Sequence, residues 1–366
     1  MGYQPTFEGD LNDYNGTVGL RTKNSNGWNT DMSLTVGGNK MLFTVDQTVN
    51  RSLGRNSPIS FKPGGFNFNH MVGNIDVSKN ITEKLFIGLG VEARSENWQL
   101  IAGDTASYSG QGANSFFGYL PDNAINANRL NVGAYFDLSY DITDNWMVGG
   151  TYRAEHYTDF GDANVYKLLS RFKIGEVVTL RASYSTGFRA PTLHQQYLSL
   201  SQASFVNGDI QITGLANNSS RAAQLLGVPK LKPETSENFT AGLGLNPSRN
   251  LSVTIDYYSI TISDRIVYGN EVSNASVGIN GVSFFTNAAK TRTSGIDVVA
   301  SYKGLMIGTN TLNFNLAGNY TIENTLVGGW QGLNASYGLP LFNQTQESLM
   351  TSSRPLYKFI LGADMA

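Results

Sequence analysis

Apolar and polar residues alternate along this chain with a period of two. In VGAYFDLSY, Val132, Ala134, Phe136, Leu138 and Tyr140 point one way, and Gly133, Tyr135, Asp137 and Ser139 the other. LRASYST sets Leu180, Ala182 and Tyr184 against Arg181, Ser183 and Ser185. In LSVTIDYY, Leu251, Val253, Ile255 and Tyr257 oppose Ser252, Thr254, Asp256 and Tyr258; TLNFNLAGNY repeats the habit. Side chains of an extended strand point alternately to opposite faces, so the pattern predicts strands. About fourteen such segments of roughly ten residues run through the sequence, the length a tilted strand needs to cross a bilayer. Helical period is confined to RAAQLLG (221–227), which predicts two turns stopped by Gly227, with Pro229 beyond.

The polar face is mostly Ser, Thr, Asn, Gly and Asp, and the apolar face carries almost no charge. A sandwich strand tolerates Lys and Glu on its wet face. Apolar-out and polar-in segments of this length instead predict an all-β, antiparallel transmembrane barrel. The connections agree, because short ones alternate with long ones. From residue 80, NITE is short, 95–128 long, DITDN short, 156–164 intermediate, IGE short and 187–235 long. NPSRN is then short, 263–291 long, KGLMIGT short and 325–354 long; earlier, GGN (37–39) is short and 50–68 long. Pro247 and the Asp and Asn residues of YDITDNW supply turn chemistry, and Trp146 suits an aromatic girdle.

Composition narrows the classes further. Charged residues are 15% of the 366, with 40 Gly, 18 Tyr and 19 Phe, so the chain is polar without being charged. A formal net charge of −2 offers no basic field for nucleic acid. The absence of cysteine removes disulfides, thiolate zinc sites and cysteine nucleophiles. No apolar run is long enough for a spanning helix, and GYQPTFEGD after Met1 has neither region of a signal peptide. His70, His156 and His194 are scattered without metal-ligand spacing, and Glu155 and His156 point to opposite faces of a strand. No G-x-S-x-G, P-loop or dinucleotide fingerprint is present, so neither enzyme chemistry nor a cofactor is indicated.

STGFRAPTLHQQY followed by LKPETSENFTAGL resembles the barrel of TonB-dependent outer-membrane receptors. NRSLGRNSPISFKPGG, EARSENWQLIAGDTASY, YRAEHYTDFGD and TNAAKTRTSGIDVVASY fit in the same order. The resemblance implies a 22-stranded barrel of a Gram-negative outer membrane, with extracellular loops and an N-terminal plug. It implies energised import of an iron-siderophore, cobalamin or an oligosaccharide, with outer-membrane lipid and the TonB–ExbB–ExbD complex as partners. No plug or signal peptide precedes the first strand, so residues 1–366 are expected to be one partial barrel domain, an internal piece of a longer chain. A passive diffusion porin and a β-rich surface carbohydrate-binding or adhesive protein remain open.

On this reading Arg181 and Arg189 face the lumen and plug, and Pro191 stiffens the exit from the strand. Lys232, Glu234 and Glu237 belong to the same wall, with either glutamate available to Arg189 or Lys232. Ligand contact is expected from loop aromatics: Tyr108, Phe116, Phe117 and Tyr119, then Tyr197 and Phe205, then Trp330 and Tyr337. Gly295 is expected at a bulge or close approach, with Lys290 and Arg292 near the extracellular rim.

Overall fold

The computed structural model describes residues 4–206, 209–274, 279–328 and 344–365. Its main body is one 13-stranded sheet in which sequence neighbours are spatial neighbours and every pair is antiparallel. The first eight strands are β1 (Thr6–Lys23), β2 (Asn29–Asp46), β3 (Ser60–Asn80), β4 (Leu85–Ile101), β5 (Ile125–Thr143), β6 (Trp146–Tyr157), β7 (Gly161–Ile174) and β8 (Val178–Arg189). Two short strands, β9 (Leu200–Val206) and β10 (Asp209–Leu215), precede β11 (Glu234–Ser248) and β12 (Leu251–Tyr268). Two more, β13 (Val272–Asn274) and β14 (Ile279–Ser283), precede β15 (Phe285–Ile307), β16 (Asn310–Gly328) and β17 (Tyr357–Met365). Strands β9, β10, β13 and β14 make a separate 4-stranded sheet inside two long loops.

The alternation fixes two faces. Leu34, Ile75, Val91, Val132, Phe136, Leu168, Phe172, Leu180 and Phe239 all stand exposed on one of them. A face of bare aliphatic and aromatic side chains suits lipid, and the polar face then lines the interior. Among the described residues no helix is long and apolar enough to cross a membrane. Trp146 begins β6 beside a short turn, on the lipid side, and its Nε1 donates to Ser170 Oγ at 3.0 Å.

One device recurs in the short turns. Thr82, Thr143 and Ser248 each use the hydroxyl to accept backbone N–H groups two and three residues on. That satisfies donors at the tip and makes the reversal tight. The GGN segment is no turn. It lies within β2, where a Cβ on Gly38 would sit 2.6 Å from the Phe68 carbonyl oxygen, so glycine there answers a close approach. The reversal is at 24–28, where Asn24 Oδ1 accepts from Trp28 N at 2.9 Å.

Two other connections are shorter than expected. The link from β6 to β7 is only residues 158–160, because Thr158 is held to Leu130 by two backbone-anchored bonds and Phe160 stacks on Tyr157. Most of KGLMIGT is strand, since a bulge between Tyr302 and Leu305 breaks the alternation without ending β15. A register shift also falls at Ser294/Gly295, where a Cβ would meet the Tyr258 hydroxyl at 2.4 Å. Helix α3 (Arg221–Leu225) forms where the 3.6 period was found, capped by Ser220.

The long-loop end carries the packed cores. Helix α1 (Thr105–Tyr108) and helix α2 (Leu193–Tyr197) lie over the strand ends. Trp98 and Leu100 of β4, Tyr119, Leu193, Leu198 and Leu215 form one buried cluster. Ala223, Leu226, Val228, Val272 and Phe284 form a second under the small sheet. Helix α4 (Gln344–Thr351) packs by Met350 near Leu326. The wall is thus thin and two-faced, and among the described residues only the roof has a core.

Candidate functional site: the inner wall and its roof

Charges converge on the inner face of β4 to β6. Alternation in EARSE puts Glu92, Arg94 and Glu96 on one face of β4, and Arg129, Asn131 and Tyr135 answer from β5. Strand β6 adds Arg153, Glu155 and Tyr157. Arg129 is the hub. Its Nε donates to Glu96 Oε2 at 2.7 Å, its Nη2 to the same oxygen, and its Nη1 to Asp159 Oδ2 at 3.3 Å. Side-chain exposure is 7% for Arg129, 12% for Glu96 and 9% for Asp159, so these charges depend on one another rather than on water. The Tyr157 ring covers the guanidinium at 5.4 Å. Beside it Arg153 reaches Glu155 at 2.5 Å and Glu92 at 3.4 Å, while Asn131 and Tyr157 donate to Glu155 Oε2.

The end of β8 joins this wall to the roof. Arg189 forks onto Glu234, Nε to Oε2 at 2.8 Å and Nη2 to Oε1 at 2.6 Å, and the two residues face each other in register. Glu234 Oε1 also accepts from Ile266 N at 2.7 Å, which ties β11 to β12. Two residues past Arg189, Pro191 is fully buried and its carbonyl accepts from Arg129 Nη1 at 2.7 Å. Thr192 then starts α2 with a capping box to Gln195, and Gln196 donates to Asp159. The loop therefore leaves the wall already fastened.

Arg181 forks onto Asp256 across Gly242, which stands between them in register. Lys232 pairs with Asp264 at 2.8 Å at the rim. Glu237, expected on the inner wall, occupies the opposite parity from Glu234 and shares the outer face with Phe239. Lys290 and Arg292 stand near the long-loop end of β15, at the same outer parity.

Aromatic rings line the roof. Phe43 lies 5.0 Å from Phe7 and 5.6 Å from Phe116, and Phe116 meets Tyr119 edge-on at 5.8 Å. His194 keeps one side open while its ring lies 5.6 Å from Trp98 and 6.0 Å from Phe66. That loss of water holds its pKa below the ordinary imidazole value. Burial pushes the Tyr119 hydroxyl up to about 12, so it stays a neutral donor. Tyr197 packs against the cluster around Trp98. Tyr108 and Phe117 are half-buried in the 102–124 loop, where Phe117 covers Gly112. The side chain of Phe205, and Trp330 and Tyr337 altogether, lie outside the described residues. Among the described residues no three potential ligand side chains converge to hold a metal.

A family model described as "TonB dependent receptor-like, beta-barrel" matches residues 2–364. No curated protein matches. Among solved structures, the RagAB peptide transporter superposes with a TM-score of 0.60 at 13% identity, over 90% of this chain and 38% of that one. A ferric enterobactin receptor mutant from Pseudomonas aeruginosa gives 0.61 at 15%, over 86% and 44%. The FrpB iron transporter from Neisseria meningitidis gives 0.60 at 13%, over 96% and 48%. The chain spans less than half the length of each.

Proposed function

The chain belongs to the TonB-dependent receptor β-barrel family, and from that premise we propose that it is the barrel part of a receptor importing a scarce nutrient across the outer membrane. The observation that carries this reading is a lipid-facing apolar belt backed by a charged, hydrogen-bonded interior under a packed roof. Such an interior suits a filled lumen. The plug domain of the same protein would meet Arg189, Glu234 and the Arg129 hub, and the TonB–ExbB–ExbD complex would supply energy. Loops at the long-loop end face the cell exterior, where the half-buried Phe116 and Tyr197 take the nutrient first.

The relatives transport peptides, bind ferric enterobactin or transport iron, so the cargo class stays broad: an iron chelate, cobalamin, an oligosaccharide or a peptide. A passive porin fits less well, because the loops build a roof rather than a charged constriction. A soluble carbohydrate-binding or adhesive protein fits less well still, given the bare apolar face. The test is uptake by cells carrying the full-length receptor as their sole receptor of this class. Growth on one limiting nutrient that vanishes on deleting TonB supports the proposal. Uptake indifferent to TonB would sink it.

A further inference from the structure

Strand β7 turns Lys167, Arg171 and Lys173 to the inner face, the same parity that Arg153 and Glu155 hold on β6. All three are exposed, and among the described residues none makes a side-chain hydrogen bond or ion pair. Arg171 also stands directly opposite Arg181 of β8. Side chains so placed start about 5 Å apart, and like charges there repel. Arg181 turns away to Asp256, and Asp137 of β5, one strand beyond Thr151, accepts from the Thr151 hydroxyl, so neither carboxylate pairs with the three cations. Thr151 and Ser185 stand beside Lys167 and Thr179 beside Lys173, while Met147 stands opposite Arg171 and Leu169 separates Lys167 from Arg171 on the same face. Unneutralised guanidinium and ammonium groups among hydroxyl donors are the chemistry that binds oxyanions.

We propose that Lys167, Arg171 and Lys173 form an oxyanion track for a small polyanionic solute, a polycarboxylate or a phosphate ester, moving along the lumen. The cations follow the strand for about 20 Å and end at the short-turn side, so the track lies along the passage. Arg171 and Lys173 are about 7 Å apart along the wall, a span that two anionic groups of one small molecule bridge. The proposal rests on the import reading and adds the charge of what is carried.

The probes are citrate and pyrophosphate, titrated calorimetrically against the purified full-length receptor in detergent micelles. Both are expected to bind, and to weaken about tenfold when salt rises to the order of 0.5 M. Loss of binding is expected in the K167Q/R171Q/K173Q variant, with R171Q alone intermediate and R21Q, at an Arg21 on β1 already paired with Asp31 of β2, unchanged. Because the three side chains are exposed and unpaired, the variants should keep the parent's circular dichroism, which is measured alongside. Equal binding to the triple variant, or no binding to the parent, overturns the proposal. So does tighter binding of an oligoglutamate peptide than of citrate, which would assign the wall to a polypeptide filling the lumen. Binding to the purified receptor needs no TonB, so this test and the uptake test fail independently.

Discussion

Strands β4 to β6 and strand β7 both carry basic side chains on their inner faces and use them in opposite ways. On the first wall Arg129 holds Glu96 of β4 and Asp159 of the β6–β7 turn, Arg153 holds Glu92 of β4 and Glu155 of its own strand, and the hub is nearly dry. On the second, Lys167, Arg171 and Lys173 stand in the open without partners. A closed network spends its charge on holding the wall and the roof in place. An open stripe keeps its charge for something else in the lumen. The same residue type therefore carries different meanings, set by what its cross-strand neighbours supply.

The largest effect should come from breaking the closed wall. Arg129→Ala leaves Glu96 and Asp159 buried without a cation and leaves the Pro191 carbonyl only the longer bond from Gln196 Nε2, at 3.3 Å. Breaking a buried pair in this way costs about 3–5 kcal/mol. Denaturant titration in micelles should show that loss, and protease should cut first at 190–200. A variant as stable as the parent would mean that the hub holds nothing. Glu234→Gln should come next, at about 1–3 kcal/mol, since it weakens the Arg189 fork and the bond to Ile266 N.

Charge reversal on the open wall should behave differently. Arg171→Glu removes a like-charge pair with Arg181, so stability should stay level or rise by under about 1 kcal/mol. The same change should abolish citrate binding. A large loss of stability instead would show that Arg171 has a structural partner, and the contrast between the walls would collapse.

How much of this the residues disclose depends on distance along the chain. The alternation in 132–140 reports its own strand and face, because a period of two is local. Gly37 and Gly38 misled for the same reason: a glycine pair reads as a turn, while the Phe68 backbone that demands it lies on another strand. The Arg189–Glu234 fork was partly visible in GFRAP and LKPE, yet parity alone separates Glu234 from Glu237. The Arg129 hub was hidden, since its partners come from three separate stretches of chain. EARSE did carry a signal, three charges at alternate positions with small residues between. Thr192 and Gln195 likewise spell the capping box that starts α2.

The smallest expected effect lies where the closed wall meets the roof, at His194. Its imidazole is partly desolvated between Trp98 and Phe66, which lowers its pKa below the ordinary value. Above about pH 6.5 the ring is neutral both in the folded roof and in the opened loop, so the depressed pKa costs nothing. As pH falls below that value, the opened loop takes up the proton first, and roof stability is lost. Hydrogen exchange at residues 193–198 should therefore quicken on going from neutral to mildly acidic pH, and His194→Phe should flatten the response. The change should be modest because one side of the ring is open, and Arg129 still grips Pro191 at either pH. If exchange quickened equally in His194→Phe, the imidazole would not be the source of the acid response.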